Sequence, residues 1–102
     1  MRIDSPSAIS NALATGMEEG GLLLSEANLA PAFFDLTSGL AGELFQKFVN
    51  YRVPLALVVK DPAVHGERFV ELAREHQNHT MVRIFPDHDT AAKWLAVARR
   101  VE

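Results

Sequence analysis

The sequence predicts a small α/β domain: a mainly parallel sheet of three to four strands with flanking helices, in two or three layers. Three observations point there. Apolar residues recur at helical spacing in four segments, short unbroken apolar runs stand between those segments, and Gly or Pro-Asp pairs punctuate the joins. Strands separated by helices imply right-handed crossovers and parallel pairing. A chain of 102 residues makes one domain, spanning 1–102.

The elements follow in order. Ser5 and Pro6 read as an N-cap and a first helical residue, and Ala8, Ile9, Ala12, Leu13 and Met17 then recur at helical spacing up to Gly20-Gly21. Gly21-Leu22-Leu23-Leu24 is a short apolar run, the pattern of a strand buried on both faces. Asn28 to Phe34, with Pro31 inside, reads as a connector leading to Asp35-Leu36-Thr37-Ser38-Gly39. From Leu40 the helical period returns, with Leu40, Ala41, Leu44, Phe45, Phe48 and Val49 on one face. Glu43 and Lys47, four apart in the favourable order, suit an ion pair on the outer face.

Val53 to Val59 is the strongest strand signal. Pro54 sits near its start, where a missing N–H is tolerated, and Leu55-Ala56-Leu57-Val58-Val59 runs apolar without alternation. It therefore reads as the central strand, covered on both sides. After Asp61-Pro62 a third helix falls between Ala63 and Asn78, with Phe69, Leu72, Ala73 and His76 on one side. Met81 to Phe85 is the last strand. Asp87 caps a final helix whose inner face is Ala91, Leu95 and Ala98, with Trp94 beside it. Asp87 and Asp89 suit its positive end, and Arg99 and Arg100 its negative end. Arg2-Ile3 can add a short edge strand.

Composition narrows the function classes. The net charge is −3 and only Arg99-Arg100 are adjacent cations, so the basic stripe that nucleic acid requires is missing and no nucleic acid partner is expected. The chain has no cysteine, which excludes disulfides and thiolate chemistry. Met1-Arg2-Ile3-Asp4-Ser5-Pro6 has no apolar core behind it, so no signal peptide is expected. No apolar run approaches a membrane span, so the expected location is the cytoplasm without membrane attachment.

Two resemblances enter here. Phe33-Phe34-Asp35-Leu36-Thr37-Ser38-Gly39-Leu40-Ala41-Gly42-Glu43-Leu44, continuing through Gln46 to Arg52 and into Leu55-Ala56, resembles an uncharacterised family, DUF4180. Pro86 and the closing helix with Trp94-Leu95 fit it more loosely. The chain departs from that family at Lys60-Asp61, where Gly-Asp is usual, and at Glu75-His76-Gln77, where Glu-Ser-Asn is favoured. The stretch Asp35-Leu36-Thr37-Ser38-Gly39-Leu40 is also similar to the Asp-Ser-Ser-Gly-Leu turn of STAS domains in anti-sigma-factor antagonists, with Asp one residue further out. That likeness implies a STAS-like fold, and by position it makes Ser38 the regulatory phosphoacceptor.

Each candidate has a plainer use. Free N–H groups at a helix start receive a phosphate on Ser38 or Thr37 well, yet hydroxyls there ordinarily cap the helix. Gly39 and Gly42 suit a phosphate cradle, but no nucleotide fingerprint accompanies them, and close packing of helix on sheet explains them more simply. His65, His76, His79 and His88 match no metal-ligand spacing, so no metal and no cofactor is expected. Asp35 and Glu43 lie near one helix start, but no nucleophile and base accompany them. Phe33 and Phe34 cannot both face inward from an extended connector, so one should reach a partner surface. With Asp61 at the end of the central strand, the candidate partner- or ligand-binding residues are Asp35, Gly39, Glu43, Phe33, Phe34 and Asp61.

These residues predict a non-enzymatic regulatory or protein-interaction domain, binding a protein partner or itself around Asp35–Leu40. The alternative is a small-molecule or nucleotide sensor, with its ligand at the carboxyl ends of the strands. An enzyme using Asp35 or Glu43 would require a strongly perturbed carboxylate in a pocket.

Overall fold

A computed structural model describes residues 1–99. Arg100, expected beside the end of the last helix, lies outside them. The first helix, α1, spans Pro6–Glu19. Ser5 Oγ accepts the Ala8 amide at 3.3 Å, and Gly20 closes the helix at φ 77°, a conformation that favours glycine. Ile9, Ala12, Leu13 and Gly16 face inward.

Three strands form the sheet: β1 (Leu22–Ser25), β2 (Leu55–Val58) and β3 (Val82–Phe85), all parallel, in the order β1-β2-β3. In register, Leu24 stands opposite Leu57, and Leu57 opposite Ile84. Leu55, Ala56 and Leu57 are all 0% exposed, because β2 has a strand on either side and packed side chains on both faces. That is the physical origin of its unbroken apolar run. Arg2-Ile3 does not extend the sheet. Ile3 makes an isolated parallel bridge to Leu29, with its N–H donating to Asn28 O at 2.7 Å.

Alternation along the strands divides the core. Leu22, Leu24, Leu55, Leu57 and Val82 join α1 and the helix α3 (Leu40–Asn50) in the larger cluster. Leu23, Ala56, Val58 and Phe85 meet Ala91, Trp94 and Leu95 of α5 (His88–Ala98). The result is three layers, with the sheet between α5 and the other helices. Asp87 caps α5 as expected, accepting the Thr90 amide at 2.8 Å.

Several expectations need correction. The connector is not extended: Pro31 opens a short helix, α2 (Pro31–Phe34), since proline suits a first helical position. The third helix is shorter than the window allowed, a 3₁₀ turn at Pro62–His65 followed by α4 (Glu67–Glu75). Val49 is 36% exposed and does not share the buried face of α3. Among the described residues only His65 and Glu26 stand at ion-pair distance, so Glu43 and Lys47 do not close their expected pair. Gly39 and Gly42 do not admit close packing, because a Cβ at either would meet nothing within 4 Å. The close approaches are at Gly16, where a Cβ would lie 3.0 Å from both Phe48 Cε2 and Val53 Cγ1, and at Gly21, where it would lie 2.9 Å from Leu95 Cδ1. No helix of the described residues is long and apolar enough to cross a membrane.

Candidate functional site

The carboxyl ends of neighbouring parallel strands lie side by side, so whatever follows them is brought together. Glu26 follows β1 directly, and Lys60 and His65 follow β2. The Glu26 carboxylate joins the two loops: Oε1 accepts the Lys60 amide at 3.0 Å, and Oε2 lies 2.9 Å from His65 Nε2. The Lys60 amide, and after it the bond to His65, hold the Glu26 carboxyl below the usual carboxylate range.

The His65 ring lies flat on Phe34, with centroids 3.6 Å apart and planes 7° from parallel. Phe69 from α4 stands edge-on to both, at 5.1 Å from Phe34 and 5.6 Å from His65. Two cavities open on the stacked pair. One, of about 420 Å³, is walled by Leu29, Pro31, Phe34, Glu26 and His65. The other, of about 530 Å³, shares Phe34 and His65 and reaches Asp35, Thr37, Glu67 and Arg68. Both volumes fall in the range of small-molecule sites.

The Asp35–Gly39 corner adjoins the second cavity. Asp35 accepts the Thr37 amide at 3.1 Å and the Thr37 hydroxyl at 2.6 Å, which lowers its carboxyl below the ordinary value. It thus caps the 3₁₀ turn Leu36–Ser38, where a hydroxyl was expected to cap the long helix. Gly39 takes φ 80° at the start of α3. Ser38 is exposed, but its hydroxyl is occupied: it donates to Ala32 O at 2.6 Å and accepts the Leu40 amide at 3.3 Å. Ser38 therefore ties the end of α2 to the start of α3.

The other candidates disperse. Phe33 is 0% exposed, in the core, and Phe34 is the ring that lines the cavities. Glu43 is half-buried in the first turn of α3. Asp61 is exposed and caps the Pro62–His65 turn through the Ala63 amide at 3.1 Å. Sequence reasoning missed the Glu26–His65 clasp. The signal available was position alone: both follow apolar strand runs, at the edge where parallel α/β sheets bind ligands.

His76 and His79 are neighbours, with rings 5.2 Å apart, and among the described residues no group of three His, Asp or Glu could hold a metal ion. His79 instead organises the entry to β3. Its Nδ1 accepts the Met81 amide at 3.0 Å and the Val82 amide at 3.2 Å, which requires the unprotonated nitrogen. Burial first, then repulsion from His76 and Arg83, lowers its pKa from the usual imidazole value. With the folded-state pKa depressed, this stabilisation is complete above about pH 6.5 and is lost as pH falls through the folded value. Histidine NMR titration should therefore read His79 below the usual value, and His79→Ala should flatten the loss of stability on mild acidification. A His79 ring titrating at or above that value would end this account.

No curated protein and no solved structure matches the chain. A family model does: it covers residues 4–95, which take in all three strands, both cavities and the Asp35–Gly39 corner. By that match the chain belongs to the DUF4180 family, a domain of unknown function.

Proposed function

We propose that the chain is a non-enzymatic regulatory domain of STAS-like type, engaging a protein partner or a second copy of itself through the Asp35–Leu40 corner, with Ser38 as a phosphoacceptor. The observation that carries this reading is the bond from Ser38 Oγ to Ala32 O at 2.6 Å, made by an exposed hydroxyl. A phosphoryl group there removes the donated proton and sets negative charge against a carbonyl oxygen. The end of α2, with Phe34 on it, then loses its tether to α3. Thr37 is the poorer acceptor, since its hydroxyl already faces the Asp35 carboxylate at 2.6 Å. The similarity of the turn to that of anti-sigma-factor antagonists supports the same residue.

Ser38→Ala is expected to lower the unfolding free energy by about 1 kcal/mol, the usual worth of one hydrogen bond, read by urea titration. Ser38→Asp is expected to change which proteins an immobilised domain retains, read by quantitative mass spectrometry against wild type. Identical retention by wild type, Ser38→Ala and Ser38→Asp would overturn the switch.

The two cavities at the carboxyl ends of the strands favour a second reading, a small-molecule sensor. A rise in melting temperature with an added ligand would support it.

A further inference from the structure

We propose that the cavity between Glu26 and Phe34 takes a small aromatic or aliphatic amine, an apolar body with a cationic head, and rejects nucleotides and other anions. This rests on the sensor reading and names the ligand class. The argument begins with the walls. Leu29, Pro31 and the Phe34 ring line an open, mostly apolar slot of about 420 Å³, enough for a single bicyclic ring system. Such walls recognise shape and apolar area, not charge. The stacked Phe34–His65 pair lines both cavities, and aromatic rings there suit a planar guest.

The head is set by Glu26. Among the described residues it is the one carboxylate lining this slot, and its two bonds, to the Lys60 amide and His65 Nε2, use only part of a carboxylate's accepting capacity. The pKa of Glu26 is lowered, so it is anionic at neutral pH. An ammonium or amidinium can therefore bind the lone pairs left over. Among the described residues, the adjoining cavity adds Asp35 and Glu67 against one cation, Arg68. The Lys60 ammonium acts on Glu26 more weakly than either hydrogen bond. An incoming phosphate or carboxylate meets repulsion from Glu26 with no preformed cradle to offset it.

Two-dimensional amide NMR on the full chain tests this with three indoles of similar size: tryptamine, 3-methylindole and indole-3-acetate. Tryptamine is expected to shift the amides of Glu26, Phe34 and His65 saturably. Indole-3-acetate should bind at least about tenfold more weakly, the scale of one charge-assisted hydrogen bond. Glu26→Gln keeps an oxygen for the Lys60 amide, so the loop should hold. It should weaken tryptamine about tenfold and leave 3-methylindole unchanged. Indole-3-acetate binding as tightly as tryptamine would overturn the amine class while leaving the sensor reading standing. If none of the three shifts these amides at millimolar concentration, the amine proposal fails, while the sensor reading is judged by its own melting-temperature test.

Discussion

Replacing Phe48 by alanine is expected to remove about 3–5 kcal/mol of unfolding free energy, the range for deleting a fully buried aromatic ring. Phe48 is 0% exposed, and its ring fills the seam where α1 crosses α3. The sequence prepared that seam from both sides. Gly16 leaves room on α1, since a Cβ there would lie 3.0 Å from Phe48 Cε2. A tightly packed interior cannot relax into such a space freely, so transfer and cavity costs add. Total stability for a domain is about 5–15 kcal/mol, so this one change takes a large share of it. The same geometry predicts coupling. Gly16→Ala should destabilise the wild-type chain, and beside Phe48→Ala lose the part of that penalty due to the ring, the contact with Val53 Cγ1 remaining. Urea unfolding of the four proteins of the cycle reads both effects. A loss below about 1 kcal/mol for Phe48→Ala, or strict additivity with Gly16→Ala, would mean the seam is not packed as described.

Much of the fold was legible because its signals are local. An apolar run without alternation, Leu55 to Val59, marks a strand covered twice, and β2 is that strand. Ser5-Pro6 and Asp87 marked helix starts through capping, which acts over three residues. Failures came where a local signal has two meanings. Asn28 to Phe34, with Pro31 inside, reads as a connector, but proline also opens helices, and α2 begins there. Gly42 looked like a packing glycine by its spacing, whereas the one that admits a neighbour's ring is Gly16, whose partner Phe48 is distant in sequence. The candidate site divides in the same way. The Asp35–Gly39 corner stands out in the sequence because its residues are contiguous, but its capping does not: a hydroxyl is the expected cap of the helix, whereas Asp35 caps its own turn. The Glu26–His65 clasp spans 39 residues and exists only through the β1–β2 register. No periodicity encodes it.

The side chain that joins fold to site is Phe69. It is the one residue of α4 that is fully buried, at 0% exposure, and Glu67, Arg68, Glu71, Arg74 and Glu75 on the same helix are exposed. A helix of nine residues is too short to stand alone in water, so α4 depends on this anchor. Phe69→Ala is therefore expected to cost about 3–5 kcal/mol of unfolding free energy. The loss should also be uneven. Amides of α4 should exchange with solvent far faster than in wild type, while exchange in β2 should speed up only as far as the reduced global stability allows. The ring also stands edge-on behind Phe34 and His65, at 5.1 and 5.6 Å. Its removal takes away the wall that holds the stacked pair, so tryptamine binding should weaken even though Phe69 lines neither cavity. Hydrogen exchange followed by mass spectrometry distinguishes this from a general loosening. Wild-type protection in α4 of Phe69→Ala would show that the helix is held by something other than this ring, and the link from core to cavity would be broken.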